Sequence, residues 1–111
     1  LNEHEGVRQA LIAQHKAGKR IGAICAAPMV LASTGILEGK KATCYPGFEQ
    51  YSGENTEYTA TLFQEDGNVI TGEGPAATLP YAYKILSYFV SKETVAALQD
   101  GMMYDHLMKS K

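Results

Sequence analysis

Cys25 stands in the stretch Ala23-Ile24-Cys25-Ala26-Ala27-Pro28, between a short apolar run and a segment with helical spacing. A cysteine buried within a strand needs no such setting. One held at a strand-to-helix corner needs small neighbours, because a strained corner has no room for bulky ones, and Ala23, Ala26 and Ala27 meet that need. The helix that follows aims unpaired N–H groups at the sulfur. Such donors favour thiolate over thiol and stabilise an oxyanion beside it, with residues 26 and 27 as the backbone donors. The chemistry to expect is that of a reactive thiolate. Taken alone, the stretch is equally compatible with a small, inert core cysteine.

Cys44, the other of the two cysteines, falls late in a strand-like run with no helix behind it, and a packing role suffices for it. Two cysteines are too few for a disulfide scaffold and wrongly spaced for a zinc knuckle. They suit a reducing compartment, so the cytoplasm is the expected location. His4, His15 and His106 lack metal-ligand spacing and read as solvated side chains, so no metal is expected. No residue identifies itself as the base for Cys25. Glu49, Glu54 and Glu73 are loop carboxylates able to approach, each more simply read as solvated.

Several elements must hold that corner in place. Asn2 and Glu5 form a loose capping box for a first helix, in which Val7, Ala10, Leu11 and Ala17 keep a helical period until Gly18-Lys19-Arg20 ends it. Ile21–Ile24 reads as a strand buried on both faces. Pro28 opens a helix that Gly35 closes. Lys41–Tyr45 reads as a second strand, stopped by Pro46-Gly47, with a helical turn over 47–52 and a loop over Ser52-Gly53-Glu54-Asn55. A hairpin follows, with a type I′ turn expected around Asp66-Gly67. The glycine-rich corner Gly72-Glu73-Gly74-Pro75 leads into a helix whose Ala82, Ile85, Leu86 and Phe89 form an apolar stripe. Ser91 caps a further helix with Val95, Leu98 and Met102 inward.

Helices alternating with short apolar strands indicate an α/β sheet with helices on its faces. With 111 residues there is room for one domain, and the near-balanced net charge of −2 lacks the basic stripe of a nucleic-acid binder. No apolar run reaches the ~18 residues needed to span a bilayer. "GEGPAA" departs from the dinucleotide fingerprint, so no cofactor is expected. The strands that can be counted leave a parallel edge uncovered, and the sheet reads as incomplete. An isolated chain of this kind is expected to be poorly soluble or partly disordered.

The segments "AICAAPMVLASTGILEGKKATCYPGFE" and "DGNVITGEGPAAT", in this order and spacing, resemble the second half of the ThiJ/PfpI superfamily. The resemblance covers nearly the whole chain, Asn2 to about Leu98. It implies a flavodoxin-like three-layer α/β/α sandwich of about twice this length. Residues 1–111 would be the C-terminal part of one such domain, which would form a homodimer. It implies that Cys25 is the reactive cysteine, readily oxidised to a sulfinate, and that the Ala26 N–H is an oxyanion donor. The partner glutamate and a second donor would come from an N-terminal half. Tyr45, Glu73, Gly74 and Pro75 would line the pocket, with Tyr45 where several relatives carry histidine and Glu73 where relatives often carry arginine. Ala27 replaces a frequent glycine.

The activity implied is glyoxalase- or deglycase-type chemistry on small reactive carbonyls. A redox-sensing, chaperone-like role is the alternative, followed by a cysteine peptidase or a part in thiazole biosynthesis. A class I glutamine amidotransferase shares the elbow but prefers flanking glycines, where Ala23 and Ala27 stand here, and supplies a downstream His-x-Glu pair, whereas the only histidine after Cys25 is His106.

Overall fold

The structure, a computed structural model, describes residues 3–51 and 55–110. Asn2, and with it the expected capping box, lies outside the described residues, as do Ser52, Gly53 and Glu54 of the expected loop. Residues Leu1–Tyr81 form one compact unit and Ala82–Lys111 a second.

In the first unit, helix α1 spans Glu5–Lys16 and is capped by His4, whose side chain accepts the Val7 N–H. Strand β1 (Ile21–Ile24) runs parallel to β5 (Val69–Gly72), which pairs antiparallel with β4 (Phe63–Asp66), giving the order β1-β5-β4. A short parallel pair, β2 (Lys41–Ala42) with β3 (Glu57–Tyr58), forms a separate sheet with β2 packed against β4. Among the described residues, β1 has a single strand neighbour, so the uncovered parallel edge expected from the sequence is present.

One face of the sheet buries Ile21, Ala23 and Val69 with Leu31 of helix α2 (Pro28–Ser33), the turn residues Ile36 and Leu37, and Ala42. Leu11 of α1 packs against the same cluster, so α1 and α2 cover this side. On the other face, Gly22 and Gly72 leave a gap filled by Tyr81 of helix α3 (Thr78–Leu86). A Cβ on Gly72 would stand 2.8 Å from Ile24 Cγ1 and 2.9 Å from Tyr81 Cδ1. One on Gly22 would meet only the Tyr81 hydroxyl, at 2.6 Å, and Ile70 at an ordinary 3.5 Å. Burial in this gap pushes the Tyr81 phenol up from its ordinary pKa.

Two expectations need correction. The second strand stops at Ala42 because the Thr43 N–H bonds to the Thr71 hydroxyl (2.9 Å) rather than to a strand carbonyl, and the Thr43 hydroxyl bonds to Thr61 O (2.7 Å). The hairpin turn sits one residue later than expected. Asp66 pairs with Val69, so Gly67 and Asn68 are the central residues, and only Gly67 has positive φ (+60°), the signature of a type II′ turn rather than I′. The 3-10 helix Phe48–Tyr51 matches the expected helical turn.

In the second unit, helix α4 (Lys92–Gly101) is capped by Ser91 as expected, and α5 (Tyr104–Lys109) follows a left-handed Met103. The expected stripes are only partly buried. Helix α3 ends at Leu86, so Phe89 falls beyond it and is 74 % exposed, and Ala82 is exposed too. Tyr83 is the buried side chain instead, set edge-on to Tyr104 with its hydroxyl on Met102 Sδ. Val95 is buried, whereas Leu98 and Met102 are exposed. Among the described residues no helix is long and apolar enough to cross a membrane.

Two outcomes follow from this packing. Gly72→Ala should lower the stability of the complete domain by about 1–3 kcal/mol, because Ile24 and the ring of Tyr81 must both move; Gly22→Ala should cost less, since mainly a phenol oxygen yields. Chemical denaturation of the two variants tests this order. The chain of residues 1–111 alone should self-associate through the open β1 edge. A monodisperse, cooperatively melting monomer in sedimentation and calorimetry would contradict it.

Candidate active site

The polypeptide turns from β1 into α2 at Cys25, whose φ is +66°. A non-glycine residue in the left-handed region costs of order 1–3 kcal/mol and persists only where its surroundings enforce it. They do so here. The Cys25 N–H donates to Gly72 O (3.0 Å), its carbonyl accepts from the Tyr45 N–H (2.8 Å), and the Ala27 N–H closes the turn onto Ile24 O (3.1 Å). Small side chains at 23, 26 and 27 let three segments meet at that point.

This geometry separates the two expected backbone donors. The Ala27 N–H is used within the turn, whereas the Ala26 N–H has no partner among the described residues. Ala26 is therefore the available oxyanion donor at the corner and Ala27 is not. Pro28, next in line, has no N–H to offer. Helix α2 is only six residues long, so its dipole is small and the free N–H carries most of the local effect.

Tyr45 is held to the elbow through its backbone, and its ring lies against Gly74, where an added Cβ would be 3.5 Å from Cδ2. The ring also meets Phe48 edge-on and is 46 % exposed. The corner Glu73-Gly74-Pro75 follows β5 directly. The Glu73 N–H bonds to Leu62 O, and Pro75 starts a 3-10 helix (Pro75–Ala77) that runs into α3. The structure thus brings Cys25, Ala26, Tyr45 and Gly74 together through direct contacts, with Glu73 between Gly72 and Gly74. Pro75 is exposed at the far side of the corner.

Sequence reasoning gave Cys44 a packing role alone. It is buried (5 % exposed) but lines a cavity of about 300 Å³ together with Glu49, Tyr58, Ala60 and Glu73. Its thiol points to Glu49 Oε2 at 3.8 Å, and that carboxylate accepts the Gly47 N–H at 3.0 and 3.1 Å. Burial first, then Glu49, then Glu73 and Cys25, push the Cys44 thiol up to about 11. Each of these charges is within electrostatic reach of one sulfur. The signal in sequence was the spacing Cys44-x-x-x-x-Glu49, which a tight turn at Gly47 (φ +98°) brings together. Both cysteines are free, and no group of three metal-ligating side chains is assembled among the described residues.

Comparisons with known proteins agree with this geometry. Residues 1–88 match the model of the DJ-1/PfpI family. The chain is 36 % identical over 104 residues to protein dj-1beta of Drosophila melanogaster, covering 93 % of this chain and 56 % of that protein. It is 35 % identical over 60 residues to a protein named deglycase from Pyrococcus horikoshii, covering 53 % of this chain and 36 % of the relative. The crystal structure of Drosophila DJ-1beta superposes with a TM-score of 0.85 over 92 % of this chain and 55 % of the other. An oxidised Toxoplasma gondii DJ-1 (25 % identical) gives 0.81 over 92 % and 55 %. The chain spans about half the length of the dj-1beta it matches. Its mixed sheet with helices on both faces is part of a flavodoxin-like α/β sandwich, and the chain belongs to the DJ-1/PfpI family.

Proposed function

We propose that, within a complete domain of this family, the chain carries the nucleophile of a glyoxalase- or deglycase-type reaction on small reactive aldehydes. The observation that carries the reading is the left-handed Cys25 with an unpartnered Ala26 N–H beside it. A thiol presented at an enforced corner next to a free donor is arranged for addition to a carbonyl. The relative named as a deglycase supports the same chemistry.

For methylglyoxal the steps balance without an external oxidant. The Cys25 sulfur adds to the aldehyde carbon, and the developing oxyanion takes the Ala26 N–H. A carboxylate moves the proton from C1 to C2 through an enediol, leaving a lactoyl thioester. Water cleaves the C–S bond, releasing lactate and the thiol. The proton-moving carboxylate belongs to a segment outside residues 1–111 in this reading. Two free thiols suit a reducing cytoplasm, and the complete domain would act there as a homodimer.

A redox-sensing role has an observation of its own, since a Toxoplasma DJ-1 with this fold was solved oxidised. The free Ala26 N–H is equally suited to hold a sulfinate oxygen.

Two experiments test these readings on the complete domain. At neutral pH iodoacetamide should modify Cys25 well ahead of Cys44, because a thiol pushed up to about 11 is ionised in only about one molecule in 10,000 and Cys44 is buried besides. Mild peroxide should take Cys25 first to the sulfinic state. Equal labelling in the folded protein would return Cys25 to an inert core role. Cys25→Ser should abolish methylglyoxal consumption without changing the melting temperature, since the swap is nearly isosteric and a serine hydroxyl is not ionised by such surroundings. Tyr45→Phe should stay within about fivefold, because the backbone N–H that holds Cys25 is kept. Wild-type turnover by the serine variant would end the enzyme reading. Absence of aldehyde turnover in both would favour redox sensing.

A further inference from the structure

Three of the four methionines stand in the second unit, at 102, 103 and 108, and all three are exposed. Met102 differs from the other two in what its sulfur holds. The Tyr83 hydroxyl donates to Met102 Sδ at 3.2 Å, and among the described residues it has no other partner. Tyr83 is 6 % exposed, so the thioether stands in for water as its acceptor. The sulfurs of Met103 and Met108 accept no hydrogen bond among the described residues. Tyr83 also fixes the start of α5. Its ring meets that of Tyr104, the first residue of the helix, edge-on at a centroid distance of 4.9 Å. Tyr104 is half-buried, and the rest of α5 is exposed. Between Met102, the C-cap of α4, and Tyr104 lies only Met103, in the left-handed region (φ +57°). One tyrosine thus holds both sides of the α4–α5 joint, with its hydroxyl on Met102 and its ring on Tyr104.

We propose that Met102 is a reversible oxidation site whose sulfoxide releases α5 from Tyr83. Hydrogen peroxide supplies the oxygen. A sulfur lone pair attacks one peroxide oxygen, the O–O bond breaks, and the departing hydroxide takes that oxygen's proton and leaves as water. Sulfur gives up two electrons and the peroxide takes them. A methionine sulfoxide reductase reverses the change, with two thiols becoming a disulfide and the oxygen leaving as water. One sulfur lone pair is engaged by Tyr83 and Met102 is 51 % exposed, so the oxygen adds at the other lone pair and one sulfoxide epimer forms. That oxygen points away from the phenol. The sulfur still facing Tyr83 carries partial positive charge and no longer accepts. A buried hydroxyl left without an acceptor favours the opened arrangement in which it reaches water. Oxidation of Met103 or Met108 strands no such group. The inference is independent of the chemistry of Cys25.

The test uses the complete domain carrying Cys25→Ser, so that the elbow thiol consumes no oxidant. After limited hydrogen peroxide, peptide mass spectrometry follows the three methionines and amide hydrogen exchange follows residues 82–109. In molecules oxidised at Met102, exchange across the α4–α5 joint should rise about tenfold, with β1 and β5 unchanged. A reductase specific for one sulfoxide epimer should reverse the rise, and one specific for the other epimer should not. Met102→Leu keeps the volume but offers no acceptor, so its exchange should be raised before peroxide and rise no further after it. Tyr83→Phe removes the hydroxyl that oxidation would strand, and peroxide should then change exchange by less than about twofold. Met103→Leu and Met108→Leu should respond as the parent does. Absence of sulfoxide at Met102 while Met103 and Met108 are oxidised would overturn the inference. So would a full peroxide response in Tyr83→Phe, or equal repair of Met102 by both reductases. If Tyr83→Phe fails to fold, Met102→Leu decides, because parent-like exchange before peroxide in that variant would refute the role of the sulfur as acceptor.

Discussion

The left-handed backbone at Cys25 is the constraint on which the rest of the first unit turns. A β-carbon at φ +66° is accepted only if the gain from the surrounding bonds exceeds the local cost, and three backbone hydrogen bonds supply that gain. Each demands something further away. The bond to Gly72 needs β5 in register with β1, and glycine at 22 and 72 leaves the space that Tyr81 occupies over both strands. The bond from Tyr45 needs the 43–45 segment drawn alongside, which the Thr43–Thr71 bond achieves. The elbow is thus the place where sheet register, helix packing and loop position must agree.

The same constraint assigns different fates to two cysteines only one peptide apart from a shared hydrogen bond. Cys25 is half-buried at the end of a strand, where the following turn leaves one N–H free. Cys44 is buried, faces Glu49 and shares a cavity with Glu73, so ionising it would put a third negative charge in one place. Burial first, and the carboxylates after it, therefore hold the Cys44 thiol protonated at neutral pH.

What could be read from the sequence was local. The small-residue elbow at Ala23–Pro28, the Ser91 cap and the Gly18 stop each depend on a few adjacent residues, and each is found where its signal stands. Errors arose where a distant partner decides. The strand beginning at Lys41 ends early because of a threonine 28 positions away, which no propensity encodes. The turn shifted by one residue because pairing of Asp66 with Val69 fixes the register, and the Asp66 side chain is itself engaged by the Lys41 N–H. The pocket residues Tyr45 and Gly74 came from a family resemblance, not from spacing. The contact that joins them became visible only in three dimensions. Cys44 is buried as a packing role requires, and the carboxylates around it were hinted at only by the spacing to Glu49, which the turn at Gly47 brings close.

In the proposed reading, the elbow shares its chemistry with structure outside these residues. Cys25 follows β1 directly, so it stands at the C-terminal end of a strand whose outer edge is unpaired among the described residues. In open parallel sheets, side chains that work together gather at those carboxyl ends, contributed by adjacent strands. On the β5 side that contribution is Glu73 and Gly74, which bring negative charge and a surface for Tyr45 but no base bonded to the sulfur. The position for a group in direct contact with Cys25 from the other side is the end of a parallel strand laid along β1. Such a strand would pair with the open edge and end beside the thiol in one step, so completing the sheet and completing the proposed site would be the same structural event.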